Sequence, residues 1–475
     1  MRLSPRKKQK NSSEKLFSES HVSVAVSHFP DSNRGPTHYE CVALPTEPKW
    51  HEFCCSFAKA GAKVLQIFEI HKYFVKKIAF ILIFIVLAAG MRAQTHTRVY
   101  KEHVRTLRVA REVLLLEDPA PLQISFDEMS HDVHMYTYTV KMLNSDLMSN
   151  EYLEGFTTRD ITEYAHSINT SRVYTHYWFE FPNEDMRLTK SGEYRLTIYE
   201  DGNPDDKVAE VDFCVVEPLV KIAANVRANT DIEFNGRYQQ LDIDVNTAAL
   251  DVRDPKELRL VVTQNNRTDN AVELNQPTFF EPKRQRYINN KALIFEGGNE
   301  YHHFDAFSTY YAGTGIDRVY HEMGDYNVLL FTDEVTQGQY IHHFDADGSY
   351  MINAEHTQDD DLEAEYMWVH WTLAVDKPWL DGSIYVGGDL FQNERTMRNR
   401  MQYDPDAKVY WLTALVKQGG YDYQYWFSGK GTQNKTTTQR VDGSYWQTEN
   451  EYAVYVYWRP FGARYDRLVG VQILH

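Results

Sequence analysis

The stretch GEYRLTIYEDG, Gly192 to Gly202, decides the fold. Tyr194, Leu196 and Ile198 share one face of an extended chain, Arg195 and Thr197 share the other, and Glu200-Asp201-Gly202-Asn203 supplies a turn. That alternation is the mark of a half-solvated antiparallel strand. The next run repeats it with Val211, Phe213 and Val215, and so do Leu241, Ile243 and Val245, then Leu258, Leu260 and Val262. From Tyr136 onward the dominant period is two, and short runs are divided by Gly, Asn and Asp turns. The pattern predicts an all-β chain of three consecutive antiparallel β-sandwiches, immunoglobulin-like or early-set-like. Glu217-Pro218 closes the first and the acidic run Asp359-Asp360-Asp361 introduces the third, so the expected domains are 94–218, 219–362 and 363–475. One short helix is expected from Thr158 to Ala165, capped by Thr158. Val104 to Leu116 is expected as strand. No fixed-period repeat is visible, which disfavours solenoids and propellers.

Ahead of these domains stands an export signal. Lys72, Lys76 and Lys77 precede an apolar run from Ile78 to Ala89, and Gly90-Met91-Arg92-Ala93 provides small residues for cleavage between Ala93 and Gln94. The apolar run is about a dozen residues, short of the roughly 20 a spanning helix needs. Residues 71–93 therefore read as a signal peptide. Gln94 stands where a lipoprotein would need cysteine, which excludes lipid anchoring at this site. Residues 1–70 read as a spurious or disordered extension, because its DSNRGPTHYECVALPTEP, Asp31 to Pro48, resembles conceptual translation of a transfer-RNA gene. True initiation is then expected near Val75.

Charge narrows the partners. Of 50 Lys+Arg and 67 Asp+Glu, 14 and 7 precede Gln94, leaving 36 against 60 and a net charge of −24. Such a surface disfavours nucleic acid and anionic lipid, whose binding needs clustered cations. It suits a basic partner. Cys41, Cys54 and Cys55 lie before the cut, so only Cys214 remains and no intramolecular disulfide can form. Cys214 lies on the strand face opposite Phe213 and reads as a packed, inert thiol.

Candidate chemistry is sparse. HHFD occurs twice, at His302 to Asp305 and His342 to Asp345, and imidazole with carboxylate is a metal-ligand set. Adjacent strand residues point to opposite faces, so each pair offers one imidazole per side, and strand-end histidines are the simpler account. Asp345-Ala346-Asp347-Gly348 starts like a calcium loop, but His356 stands where an EF-hand needs glutamate. A tight turn explains it, as it does Asp404-Pro405-Asp406. There is no GxSxG elbow, no HExxH, no Walker loop and no GxGxxG after a strand. No catalytic, metal or cofactor residue is expected, and no enzyme.

Aromatic residues are in excess, with 30 of 32 tyrosines and eight of nine tryptophans after the cut. Seven tryptophans, Trp368, Trp371, Trp379, Trp411, Trp426, Trp446 and Trp458, lie in the expected third domain. In YWLTALVKQGGYDYQYWF, Tyr421, Tyr423, Tyr425 and Phe427 line one face and Trp426 opposes them. One face is core, and the other is a candidate surface for sugars or protein.

Several blocks together resemble one family, the plug protein of the type IX secretion system of Bacteroidetes. They are ISFDEM (Ile124 to Met129), YLEGF (Tyr152 to Phe156), SINTSRVYTHYWFEFPNEDMRLTKSGEYRLTIYE (Ser167 to Glu200), FEGGNEYHHFDAFS (Phe295 to Ser308), DDDLEAEYMWVHWTL (Asp359 to Leu373) and DGSYWQTENEYAVYVYWRPFGARYDRLVGVQI (Asp442 to Ile473). MLNSDLMSNEY, Met142 to Tyr152, departs from the family's Cys-Asn-Ala-Asp-Trp-like stretch. GSIYVGGDLF (Gly382 to Phe391), also shared with the plug family, together with LVKQGGYDYQYWF resembles a glycogen-binding or early-set sandwich. The first resemblance implies a non-enzymatic periplasmic protein that caps the outer-membrane translocon at the inner face of the outer membrane. It implies no nucleic acid partner, no direct membrane insertion and no small-molecule substrate. The second implies carbohydrate binding through exposed aromatic rings as the alternative.

N-terminal sequencing of the protein purified from its native cell is expected to start at Gln94. Recovery of any peptide between Met1 and Lys63 would overturn the reading of this extension as spurious.

Overall fold

GEYRLTIYE forms the strand Gly192–Glu200, and the chain reverses where Asp201 and Gly202 take left-handed backbone, φ 51° and 66°. The returning strand Lys207–Val216 pairs with it in antiparallel register, Tyr194 opposite Phe213 and Leu196 opposite Val211. The computed structural model describes residues 97–475 except 118–119, 337 and 432–434. The expected extension, the signal peptide and its Ala93–Gln94 cleavage point lie outside the described residues. Among the described residues strands dominate, the helices are single turns, and no helix is long and apolar enough to cross a membrane.

The first sandwich faces a sheet ordered Arg98–Val99, Lys207–Val216, Gly192–Glu200, Tyr136–Met142, Thr158–Ile161 against a second ordered Val104–Val109, Leu122–Glu128, Thr175–Phe181, Glu163–His166. Inward residues of both sheets fill its core, with Phe126, Tyr136 and Tyr177 in ring contact at 4.9–5.2 Å. Val104 to Leu116 is strand, as Val104–Val109 and Val113–Leu115. The helix expected from Thr158 to Ala165 does not form. Thr158–Ile161 pairs with Tyr136–Met142 and Glu163–His166 with Thr175–Phe181 instead. An eight-residue helix with Ile161 as its one buried anchor gains little on its own, whereas two existing sheet edges satisfy the backbone of each half.

Strand pairing corrects the expected succession of the other two domains. Tyr452–Trp458 pairs with Leu258–Gln264 and Arg467–Leu474 pairs with Tyr452–Trp458, so the last strands of the chain complete the sandwich that begins after Glu217. Its opposing sheet is Lys221–Arg227, Tyr238–Asn246, Arg284–Tyr287, Phe279–Glu281, and Leu241, Ile243, Leu260, Val454 and Val469 share one core. Residues 297–450 form the third sandwich, inserted into the second. There His302–Ala306 and Tyr350–Ile352 flank the long strand Gly419–Gly429, which also carries Gly382–Gly387. Opposite lies the sheet Ile316–Glu322, Asp325–Leu330, Tyr366–Ala374, Val409–Lys417, Gln402–Asp404. The boundary expected at 362/363 thus falls inside a single sandwich, whose Asp325–Leu330 strand pairs in parallel with Tyr366–Ala374. The acidic run at Asp359 caps a one-turn helix, Asp360–Glu363, and separates no domains. Entry to and exit from the insertion are tied together, because Asn450 Nδ2 donates to the Gly297 carbonyl at 2.8 Å. A Cβ on Gly297 would meet the Tyr445 carbonyl oxygen at 2.0 Å, so only glycine passes there.

All three sandwiches touch one another. Val113, Cys214 and Val216 of the first pack on Val261, Tyr455, Tyr457 and Leu468 of the second. Between second and third, the Arg267 guanidinium is paired with Asp269, donates to Thr436, and lies 4.6 Å from the Trp426 ring centroid. Between first and third, Lys417 at the end of Val409–Lys417 reaches Asp127 on Leu122–Glu128 at 2.7 Å, and both side chains are almost wholly buried. Asp127 also accepts from Tyr366 Oη at 2.8 Å and meets His176 Nδ1 at 2.6 Å. Lys417 further donates to the Asp361 carbonyl at 2.7 Å and sits 4.2 Å from the Tyr174 ring centroid.

Lys417→Met leaves Asp127 buried without its cation and is expected to cost about 3–5 kcal/mol of stability. Lys417→Met combined with Asp127→Asn is expected to recover most of that loss in chemical denaturation. Equal losses in the single and double variants would show that the pair does not hold the sandwiches together.

Candidate functional site

The two HHFD stretches, far apart in sequence, meet where the three sandwiches converge. In His302–Ala306 the period of two sends His302, Phe304 and Ala306 toward the third core, and His303 and Asp305 outward. The second stretch is not strand. It runs as an irregular loop held to the first: His343 Nε2–H donates to the Tyr301 carbonyl at 2.9 Å, and Asp345 accepts from the Tyr301 amide. Asp345 Oδ1 also accepts from the Asp347 amide at 3.0 Å, which closes the turn at Gly348. The calcium-like residues Asp345 to Gly348 are therefore a turn, with one carboxylate spent on backbone amides.

The imidazoles are engaged as well. His302 lies between Asp442, at 2.9 Å, and Asp333, at 3.3 Å, and Asp333 accepts from Tyr423 and Tyr425. Burial works against its charged ring, but Asp442 and Asp333 outweigh that and raise its pKa to about 10. His303 lies between Asp422, at 2.6 Å, and Asp305, at 2.8 Å, and the Asp422 hydrogen bond leads in raising it to about 9. Burial lifts the Asp345 carboxyl to about 6 despite the amides that it accepts. These groups neutralise one another. Among the described residues no set of three or more His, Cys, Asp or Glu is arranged to hold a metal ion.

His303, Asp305, Asp345 and Asp422 form one wall of a cleft of about 1170 Å³ between the sandwiches. Leu107 to Glu112 and Trp178 to Glu180 of the first sandwich form another, and Asn266, Glu451 and His475 of the second complete it. Ten carboxylates against two arginines line this cleft, so its field favours cationic groups and repels anions.

The aromatic face proposed as an open surface is closed. Tyr421, Tyr423, Tyr425 and Phe427 are third-sandwich core, and Trp426 on the other side is buried under Arg267. A Cβ on Gly387 would meet the Trp426 ring at 2.1 Å, so this glycine lets the ring lie flat on the neighbouring strand. Four of the seven C-terminal tryptophans carry a guanidinium over the ring: Arg172 on Trp368, Arg440 on Trp379, Arg267 on Trp426 and Arg467 on Trp458. Faces so covered cannot stack on a sugar. Cys214 is packed between the first and second sandwiches, and burial pushes its thiol well up.

Sequence reasoning missed the contact between the first and third sandwiches. Arg172 holds Asp325 with two hydrogen bonds, at 2.8 and 2.7 Å. Glu365 accepts from the amides of Ser171 and Arg172, and Tyr174 Oη donates to the Ala364 carbonyl. Ser167 to Glu200 thus docks on Asp359 to Leu373, two of the blocks that carried the family resemblance. The divergent stretch Met142 to Tyr152 rests on the second sandwich, where Ser145 bridges Tyr465 and the Asp146 amide donates to Arg464.

Folded His302 and His303 keep protons that the unfolded chain releases above about 6.5, so the folded state binds more protons up to about 9–10 and loses stability across that window. The melting temperature is expected to fall as pH rises from 7 to 9, and His302→Gln with His303→Gln to flatten the slope. A wild-type profile flat over this range would refute the charged assignment.

No curated protein matches the chain. The chain covers all of a hypothetical protein from Parabacteroides merdae, whose crystal structure at 2.30 Å resolution matches with a TM-score of 0.78 and 36% identity over 81% of this chain. Residues 97–217 match the family model described as the type 9 secretion system plug protein 1st domain. That match runs from Arg98–Val99, the first strand described, through Lys207–Val216, and takes in the strands that carry Asp127 and His176 and the loop that carries Arg172. Residues 97–217 thus belong to the type 9 secretion system plug protein 1st domain family.

Proposed function

We propose that the protein closes the periplasmic opening of the outer-membrane translocon of the type IX secretion system, as a body exported to the inner face of the outer membrane. Family membership ties it to that secretion system. The observation that carries the finer reading is mechanical: three sandwiches pack pairwise, through the apolar seam at Cys214, the Arg267–Trp426 contact and the buried Lys417–Asp127 pair, so load on one passes to the other two. Closing a wide pore requires a stiff body with a complementary surface and no reaction. An acidic surface suits a basic rim on the channel, and charge of this kind acts chiefly on the rate and orientation of docking.

Affinity purification from the native bacterium, followed by mass spectrometry, is expected to recover the translocon. Deletion of the gene is expected to make the outer membrane leaky to large solutes. Absence of every type IX translocon component from the purified material would sink the proposal, and a complex insensitive to salt would remove charge steering from it.

A further inference from the structure

The 36 basic residues after Gln94 face an excess of carboxylates, and most of the arginines with contacts described above hold one. Arg105 and Arg398 do not. Arg105 lies on Val104–Val109, an edge strand whose pairing with Leu122–Glu128 slips between Arg105 and Arg108. The bulge is built on Thr106 at φ 47°, a left-handed backbone that a β-branched residue adopts only under strain. Its hydroxyl is fixed 2.5 Å from Tyr366 Oη of the third sandwich. Bulges at sheet edges re-aim side chains, and backbone strain concentrates at functional positions.

Here the bulge sends Arg108 into the cleft, onto Asp361, and leaves Arg105 half-buried with its Nε inaccessible to solvent and without a hydrogen-bond partner among the described residues. Arg398, on the third sandwich, donates from Nη2 to the Lys101 carbonyl at 2.9 Å, which brings its guanidinium to the chain leading into the Arg105 strand. No described carboxylate pairs with either arginine. Glu102 is the carboxylate whose charge acts on Arg105, after the Tyr366 phenol, and it makes no ion pair with it. Burial and then the charge of Arg398 lower the Arg105 pKa, so the two guanidinium groups disfavour each other. Arg398 is held to the Lys101 carbonyl, on the approach to Arg105, so this junction carries two guanidinium groups and no described carboxylate partner, a cost that a bound anion would offset.

We infer that Arg105 and Arg398 form an anion site at the junction of the first and third sandwiches, and that it takes a carboxylate group. The planar guanidinium fork matches a carboxylate, and the −24 net charge of the chain after Gln94 penalises a doubly charged phosphate more than a singly charged acid. The carboxylate is either a free small acid or the end of a peptide.

The test uses the mature chain at fixed ionic strength. Acetate, and a short neutral peptide with a free C-terminus, are titrated by calorimetry and by melting temperature, with the amidated peptide, chloride and inorganic phosphate alongside. Acetate or the free-ended peptide is expected to stabilise the protein saturably, and whichever binds more tightly identifies the source. Arg105→Met and Arg398→Met are each expected to weaken that binding about tenfold or more, the equivalent of one charge-assisted hydrogen bond. In chloride, either variant is expected to melt no lower than wild type, because a like-charge contact is relieved. The exposed Arg253→Met serves as control and is expected to change nothing. The assignment is overturned if neither carboxylate shows saturable binding, if the amidated peptide binds equally, if phosphate binds more tightly, or if binding survives both arginine substitutions. Should one variant fail to fold, the other still reads the site.

Discussion

A lysine ammonium buried against an aspartate sets the assembly of this protein. Taking two charges out of water costs several kcal/mol per ion, and the cost is recovered only when partners are in place. Neither Asp127 nor Lys417 finds its partners within its own sandwich alone: Asp127 needs Lys417 and Tyr366 from the third, and Lys417 needs Tyr174 from the first. Burial raises the Asp127 carboxyl, but Lys417 and His176 outweigh it and hold the group below its usual range. A docking shifted by one residue along either strand would part Lys417 from Asp127 in a dry interface and leave Asp127 with His176 alone. The pair therefore fixes how the first and third sandwiches meet more than it adds to their attraction.

The insertion makes that geometry cooperative. Because the chain leaves the second sandwich at Gly297 and returns at Asn450, the third is tethered at both ends, and those ends are joined by a hydrogen bond. The first sandwich then closes on both of the others. Its contact with the second is apolar around Cys214, Tyr455 and Tyr457, while its contact with the third is ionic. The two kinds of contact divide the work: the apolar seam supplies non-directional adhesion, and the ionic seam supplies register.

The strand character of nearly every segment was legible, because Tyr194, Leu196 and Ile198 or Leu258, Leu260 and Val262 alternate without ambiguity. What period two cannot reveal is what covers the polar face. Asp127 alternates with Phe126 and Glu128, and Lys417 follows Val416, so both read as solvent-facing; each instead meets another sandwich. The same blindness hid Trp426 under Arg267. Domain order was misread because strand pairing is not local: Tyr452–Trp458 alternates as well for a third sandwich as for the second, and only its register with Leu258–Gln264 decides. The two HHFD stretches are neighbours, as a shared site would require, but carboxylates hold His302 and His303, and those partners are distant in sequence.

The distribution of arginine is the counterpart of the acidic surface. A guanidinium is planar, stays charged, and can lie on an aromatic ring while pairing at its edge. Arg267 does both at the second–third contact, Arg172 at the first–third contact, and Arg259 covers Tyr457 while paired with Asp466. Cations that hold the joints in this way are withdrawn from the outer surface together with the carboxylates they pair, so the unpaired acidic excess of the chain is what the exterior shows. An acidic exterior and arginine-filled joints are then two consequences of one allocation: positive charge is spent holding the body together, and negative charge is left to meet whatever the body docks against.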